Sequence, residues 1–389
     1  MFDAVLLASY GGPEGAQEIE PFLDKILSGK HTPPKRRVAV VERYLRFNGV
    51  SPLPNECRRF LSELQNRFKA YSKRPKLYWG NLYSPPTFEQ ALSQMEADSV
   101  KSALVFPTSA FGSPQSCQRY RLAVQEALEK RTDAFTRSCE IAFTPPFFDL
   151  PTFCRVIADE LLTALAYSEL DAEDPFGLSS VSEKSKRLIL FSAHSLPTAD
   201  GEESQYKRQL MTAATTVLRT MLNSPAYGRK DAADVNSSNG ALLGFPKRKT
   251  LLANGAQEDD FDPETKALLQ DRSLDAALVF QSRSGSPTAP WLGPSIGEFL
   301  QEYKKQHPLL KQVVVSPLGF FFENMETIYD LDVEFRGICN EMEIEYRRAL
   351  CCGSSSRLID LVFQLALLDP KDFPHCRCNE GMCDLSCRL

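Results

Sequence analysis

The chain has 389 residues, of which 43% are hydrophobic and 24% are charged, a composition that is ordinary for a globular protein. Its length predicts about two to three domains, or two enlarged ones. The formal net charge of −5 argues against a nucleic-acid-binding protein, which normally carries a basic surface, and no apolar run approaches the roughly 20 residues that are needed to span a bilayer.

The chain starts with MFDAVLLASYGG, an apolar run that ends at a glycine pair. Asp3 stands where a secretory signal peptide would carry positive charge, so we interpret this run as a first β-strand. The protein is therefore expected to be cytoplasmic, with no integral membrane segment and no nucleic-acid partner. We also expect it to be a monomer.

Short runs rich in Val, Ile, Leu and Phe alternate with longer amphipathic stretches along the chain. This alternation is typical of βαβ units and of a parallel sheet. The predicted strands are Ala4–Ser9, Lys76–Trp79, Ala103–Phe106, Glu140–Phe143, Arg187–Phe191, Ala277–Phe280 and Gln312–Val315. We predict an α/β fold in which two doubly wound, Rossmann-like parallel-sheet domains face a central cleft.

The domain boundaries follow from composition. The predicted segments are an N-terminal lobe, a C-terminal lobe, a helical segment that completes the cleft and a Cys-rich tail: residues 1–145, 146–320, 321–370 and 371–389. Two polar stretches, 168–186 and 223–264, contain few bulky apolar residues. Both are interpreted as insertions without a catalytic role.

The junction RLILFSAHSLP places a single imidazole, that of His194, directly after an apolar strand. Parallel sheets bind ligands outside the carboxyl ends of their strands, so His194 lies where chemistry is usually done. An imidazole with a pKa near 6.5 can act both as a base and as a metal ligand near neutral pH. The alternative is a histidine that merely caps a loop.

A second segment, SPLGFFFENMETIYDLDVEF, is predicted to become helical from about Phe322. Its acids Glu326, Asp330 and Glu334 recur every four residues, so they lie on one face of the helix. One interpretation is a solvated acidic face. The other is a row of carboxylates on a cleft wall that passes cations or protons inward, and the residues alone leave both open.

The segments FSAHSLP (191–197) and NMETIYDLD (324–332) resemble the two signature regions of ferrochelatases, enzymes that insert ferrous iron into a porphyrin. Further segments are similar to the same family in the same order: ASYGGPEG, RYLRFNGVSPL, LYWGNLYSPP, VFPTSAFGS, TPPFFDLP and FQSRSGSPTAPWLGP. The matching segments cover most of the chain apart from the two insertions and the tail. The resemblance implies chelatase-type lobes, with a porphyrin and ferrous iron as substrates.

The resemblance implies that His194 and Glu326 are the catalytic residues and the ligands of Fe2+, without apportioning the base and ligand functions between them. Many relatives have a Ser-Asp-His run before the signature Glu, whereas this chain has Phe322, Glu323 and Asn324. This departure keeps open an alternative of another class, a non-catalytic protein that binds a tetrapyrrole or a metal.

The porphyrin-binding residues implied by the resemblance lie in the first half of the chain. Arg43 and Ser51 fall in a segment that resembles the family's porphyrin-binding region, and Arg can hold a propionate bidentately. Tyr120 is a further candidate, and Tyr10 matches a tyrosine that reaches the iron axially in relatives acting on coproporphyrin. Residues 21–43 lack a strongly apolar lip, which favours coproporphyrin III over the alternative substrate, protoporphyrin IX.

Four of the eleven cysteines crowd the tail in the order C-x-C-x4-C-x3-C: Cys376, Cys378, Cys383 and Cys387. Disulfides are disfavoured in a reducing cytosol, so the spacing indicates a metal, either zinc or an iron–sulfur cluster. The resemblance favours a 2Fe–2S cluster, because a number of ferrochelatases hold one with three C-terminal cysteines and one internal cysteine. Cys154 lies near that internal position, and zinc or no metal are the alternatives.

Overall fold

The structure of the chain is a computed structural model. The structure describes residues 1–28, 33–166, 186–197, 202–224, 260–271, 273–283 and 290–373. The described residues form two compact units: the first contains those within Met1–Phe147, Phe322–Met325 and 353–373, and the second contains those within Phe148–Phe321 and Glu326–Cys352. In the described part of the chain, none of the helices has the length and apolar character that crossing a membrane requires.

Strands and helices alternate along the chain, as the apolar pattern predicts. The strands are β1 (Ala4–Ser9), β2 (Lys76–Asn81), β3 (Ser102–Pro107), β4 (Glu140–Phe143), β5 (Lys186–His194), β6 (Leu274–Gln281), β7 (Leu310–Ser316) and β8 (Glu345–Arg348). The α-helices are α1 (Ala16–Leu27), α2 (Pro34–Leu45), α3 (Leu53–Phe68), α4 (Phe88–Ala97), α5 (Arg119–Leu128), α6 (Asp133–Ser138), α7 (Pro151–Ala166), α8 (Glu202–Leu222), α9 (Pro263–Asp271), α10 (Ile296–Gln306), α11 (Arg336–Glu341) and α12 (Ser356–Leu367). A π-helix spans Glu326–Phe335, between β7 and α11.

Each unit is built on a four-stranded parallel sheet, with the strand order β2-β1-β3-β4 in the first and β6-β5-β7-β8 in the second. The predicted α/β class with two doubly wound sheets is confirmed, and each predicted strand is present. In both sheets the chain reverses its winding direction beside the first strand, between β1 and β3 and between β5 and β7. Such switch points are where doubly wound sheets bind ligands.

The strand β8 was not predicted, and it lies inside the segment predicted to be helical. Its sequence, EYRR, contains no apolar run, and all four residues are half-buried. β8 is the edge strand of the second sheet. Charged side chains are a common feature of edge strands, where they oppose pairing with another chain, and this explains why hydrophobicity alone does not reveal it.

The core of the second unit fixes where the π-helix lies. Leu188 and Leu190 of β5 pack in one buried cluster with Leu331 and Phe335 of the π-helix. Side chains alternate along a strand, so His194 projects from the same face of β5 as these leucines. The π-helix therefore covers the face of the sheet from which the imidazole extends.

An ion pair joins the π-helix to β8. The guanidinium of Arg348 contacts both carboxylate oxygens of Asp332, at 2.9 Å from Nε and 2.7 Å from Nη2. The Tyr346 hydroxyl donates to the same carboxylate at 3.0 Å. The side chains of Arg348 and Asp332 are only 10% and 22% exposed, so removal of one partner leaves a largely buried charge.

Replacing Arg348 with methionine is expected to lower the free energy of unfolding by about 3 kcal/mol, because it leaves the largely buried Asp332 carboxylate without its bidentate partner. Urea denaturation measures the change. Arg336→Met is the matched control, since Arg336 lies 3.6 Å from Asp332 with 54% of its side chain exposed, and exposed pairs contribute about 0–1 kcal/mol. Equal losses in the two variants would contradict the role given to Arg348.

Candidate active site

His194 and Glu326 meet in the second unit. His194 is the last residue of β5, and Glu326 is the first residue of the π-helix. His194 Nε2 lies 3.3 Å from Glu326 Oε1. The His194 side chain is 27% exposed and the Glu326 side chain is 42% exposed. The pair lies at the carboxyl end of β5, beside the switch point of the second sheet.

The backbone sets the orientation of the imidazole. Nδ1 of His194 lies 2.6 Å from the carbonyl oxygen of Ser195. A carbonyl only accepts, so this contact assigns the proton to Nδ1 and leaves Nε2 directed at the carboxylate. A ring nitrogen fixed in this way is prepared to take a proton or a metal ion at the opposite nitrogen.

The charge of the pair is set by opposing effects. Burial of the ring disfavours the imidazolium. The negative charge of Glu326 and the hydrogen bond between Glu326 and the ring favour it, as do the Ser195 carbonyl and the charge of Asp330. The net effect raises the pKa of His194 from 6.5 to about 8. At pH 7 the imidazole is therefore mostly in its charged form, with a proton on Nε2 as well as on Nδ1. The ring must release the Nε2 proton before it can accept another proton or bind a cation there.

The predicted row of acids lies on the π-helix, and its three members differ in burial. Glu326 is half-buried, Asp330 is buried and Glu334 is exposed. The Asp330 carboxylate accepts a hydrogen bond from the Ser282 hydroxyl. The first and last acids of the row thus reach solvent while the middle one is buried, which is compatible with either predicted interpretation of the acidic face.

The helix begins at Glu326, later than the predicted start near Phe322. Phe322 is buried and belongs to the first unit, where its ring packs against that of Phe60 with the centroids 5.7 Å apart. The chain is not yet helical at Phe322, whose ring is held in the core of the first unit. The helix is also a π-helix, and π-helical turns occur frequently at functional sites.

Sequence reasoning missed two polar residues at the end of β6. The side-chain amide of Gln281 donates to the backbone carbonyl of Glu326 at 2.9 Å, and Ser282 holds Asp330. Both directly follow the apolar run ALVF. A polar pair at the carboxyl end of a predicted parallel strand is the signal that could have found them.

In the first unit, the predicted porphyrin-binding residues Tyr10, Ser51 and Arg43 lie on three different segments. Tyr10 follows β1, with 38% exposure and its ring 4.6 Å from that of Tyr83. Ser51 is buried against the glycine pair after β1, where a Cβ on Gly12 would lie only 2.6 Å from the Ser51 Cβ. Arg43 is half-buried in the last turn of α2.

Tyr120, the fourth predicted porphyrin contact, lies deeper than the others. It belongs to α5, is 5% exposed and hydrogen-bonds to Thr108, which follows β3. Burial raises the pKa of its hydroxyl above the ordinary value. Tyr10, Ser51 and Tyr120 thus gather near the carboxyl ends of β1 and β3, at the switch point of the first sheet.

Of the five cysteines predicted to hold a cluster, only Cys154 belongs to the described part of the chain. It is fully buried in α7, and its thiol donates to the carbonyl of Phe148 at 3.4 Å. Cys376, Cys378, Cys383 and Cys387 lie outside the described residues. Within the described ranges, no group of three or more His, Cys, Asp and Glu side chains is placed to hold a metal ion.

Comparison with known proteins identifies the family. The ferrochelatase family model matches residues 2–367. A ferrochelatase of Rhodopirellula baltica is 29% identical over 93% of this chain and 84% of its own length, and a coproporphyrin III ferrochelatase of Mycobacterium tuberculosis is 31% identical over 92% and 84%. Among solved structures, SirB from Bacillus subtilis with Fe3+ aligns over 94% of each chain at 11% identity and a TM-score of 0.47. The match of the family model across nearly the whole chain shows that this protein belongs to the ferrochelatase family.

Proposed function

We propose that the protein inserts Fe(II) into coproporphyrin III in heme biosynthesis, with the release of two protons. The observation that carries the proposal is the approach of His194 Nε2 to Glu326 Oε1, 3.3 Å apart at the carboxyl end of β5. These two residues come from the two signature segments of a chain that belongs to the ferrochelatase family.

The pair provides the groups that the reaction needs. Iron insertion exchanges two pyrrole N–H protons for one Fe2+, so the site must accept protons and bind a divalent cation. Neutral imidazole and carboxylate do both. In the proposed order of events, the proton on His194 Nε2 leaves first. His194 and Glu326 then accept the pyrrole protons and bind the iron. Asp330 takes part in passing the protons to solvent.

The porphyrin side of the reaction is assigned to residues of the first unit. A porphyrin is a flat hydrophobe edged with carboxylates, so its site needs aromatic surface and a few cationic or hydroxyl groups. Arg43 and Ser51 are proposed to hold propionates, and Tyr10 to reach the iron. Tyr120 is also proposed as a porphyrin-binding residue, although its side chain is almost fully buried.

The choice of coproporphyrin III is supported by relatives that carry this substrate in their names at 30–31% identity. Anaerobic assays of the purified protein with Fe(II) and either coproporphyrin III or protoporphyrin IX test it. Faster metalation of coproporphyrin III is expected. Preference for protoporphyrin IX would contradict the substrate, and tight porphyrin binding without metalation would support the non-catalytic alternative instead.

Replacing Arg43 with glutamine is expected to raise the KM for coproporphyrin III about 10-fold or more and to leave kcat unchanged. A hydrogen bond to a charged group contributes about 1.5–3 kcal/mol, and binding that is equal in the ground and transition states affects KM alone. Steady-state kinetics measures both constants. Arg46→Gln, an exposed neighbour just after α2, is the control, and the same rise in KM in that variant would refute the assignment.

The tail cysteines are proposed to hold a 2Fe–2S cluster, with Cys154 as the internal candidate. The support is their spacing and the family resemblance; the matched region ends at residue 367, before the tail. A UV–visible spectrum of anaerobically purified protein tests the proposal, since a cluster absorbs in the visible range and zinc does not. We also propose a cytoplasmic monomer, which cell fractionation and sedimentation would test.

A further inference from the structure

The backbone of Gln281 is tied to the strand that carries His194. Gln281 is the last residue of β6 and the register partner of His194 on β5. The backbone amide of Ser195, the residue after β5, donates to the backbone carbonyl of Gln281 at 2.8 Å. Gln281 is therefore held in a fixed position relative to the imidazole.

The side chain of Gln281 is tied to the helix that carries Glu326. Its Nε2 donates to the Glu326 carbonyl at 2.9 Å. The residue is 5% exposed, and its Oε1 accepts no hydrogen bond from any described residue. A buried amide with an unused acceptor costs free energy relative to an apolar side chain, so packing alone does not account for a glutamine here.

A second contact strengthens the same junction. Ser282, the next residue, has a left-handed backbone with φ of +61°, which is uncommon for a residue other than glycine. Its hydroxyl donates to the Asp330 carboxylate. Residues 281 and 282 thus hold the π-helix at two points four residues apart, and backbone strain of this kind clusters at functional sites.

The catalytic pair needs such a support. The Nε2–Oε1 distance of 3.3 Å is long for a charge-assisted hydrogen bond, and 42% of the Glu326 side chain is exposed. We infer that Gln281 is a positioning residue, which fixes the start of the π-helix so that the Glu326 carboxylate faces His194. The inference rests on the proposed function of this pair, and misplacement by about 1 Å can cost about 100-fold in rate.

The test compares Gln281→Met with Gln312→Met. Methionine keeps the length of the side chain and removes the donor. Gln312 is a matched control: it is a fully buried glutamine of the same sheet, and it donates to Glu345 at 2.9 Å. It pairs with Arg187 at the start of β5, at the opposite end from His194.

The expected result for Gln281→Met is a 10–100-fold lower kcat for iron insertion, as is usual when a group that orients a metal ligand is removed. The KM for coproporphyrin III should not change. The metal-free protein should also bind Co2+, used as a spectroscopic probe, about 10-fold or more weakly. Gln312→Met should match the wild type in all three measurements.

Gln281→Asn is a second variant for the case in which Gln281→Met does not fold. It retains a buried amide that is too short to reach the Glu326 carbonyl. It should show the same loss of kcat and of Co2+ affinity. Wild-type kcat and Co2+ affinity in a folded Gln281 variant would overturn the inference, as would an equal loss in Gln312→Met. The Co2+ measurement needs no porphyrin. A wild-type protein that fails to metalate coproporphyrin III would thus refute the proposed function while leaving the positioning test readable.

Discussion

Replacing His194 with alanine is expected to abolish iron insertion while leaving porphyrin binding largely intact. The change removes Nε2, which is both the proposed base and a proposed iron ligand, and leaves every predicted porphyrin contact of the first unit in place. General base catalysis alone contributes about 100- to 10,000-fold. We therefore expect kcat to fall about 1,000-fold or more, measured anaerobically with Fe(II) and coproporphyrin III.

The control for this variant is His307→Ala. His307 is half-buried, stacks on Tyr303 with the ring centroids 4.0 Å apart, and precedes β7, so it lies at the opposite edge of the second sheet from His194. Its kcat should equal that of the wild type. Retention of more than a tenth of wild-type activity in His194→Ala would rule out the imidazole as the essential group.

Replacing Glu326 with glutamine is expected to reduce kcat about 100-fold and to change the pH dependence of kcat/KM, which reports the ionisation of the free enzyme. The carboxylate is a main reason that the pKa of His194 is raised to about 8. In the wild type, kcat/KM should therefore rise with pH and level off above about pH 8. Without the negative charge the pKa of His194 falls, by about one to three units for a close opposite charge, and the rising limb moves to lower pH.

NMR titration of the His194 imidazole in the metal-free protein measures this shift directly. The raised pKa of His194 also makes the free energy of unfolding depend on pH. A histidine whose pKa is raised on folding stabilises the protein fully below pH 6.5, and the contribution is lost as the pH rises through about 8. The loss should be about 1–2 kcal/mol in the wild type and should be absent in Glu326→Gln. An unchanged imidazole titration in the variant would show that the carboxylate does not act on His194.

The parallel strands and the position of His194 were predictable because they depend on local sequence. A buried parallel strand is an apolar run, and a polar residue at its carboxyl end marks the edge where ligands bind. The pairing of His194 with Glu326 was not a local property. It came from the family resemblance, since no spacing rule places a residue on a distant helix beside a given strand end.

The π-helix and the role of Gln281 could not be predicted for a related reason. Acids four residues apart share a face in an α-helix and remain close to one face in a π-helix, so their periodicity does not separate the two. The role of the Gln281 side chain depends on the register between β5 and β6 and on its hydrogen bond to the Glu326 carbonyl. The polar residues at the end of β6 can be recognised in the sequence, but neither the strand register nor the contact with Glu326 can.

The most direct test of the account is a double-mutant cycle of His194→Ala and Glu326→Gln, with the kcat for insertion of Fe(II) into coproporphyrin III as the measured quantity. Residues that act as one unit are strongly non-additive. We expect the double variant to be about as slow as His194→Ala alone. A double variant slowed by the product of the two single effects would show that imidazole and carboxylate act independently, and would contradict a shared site for protons and iron.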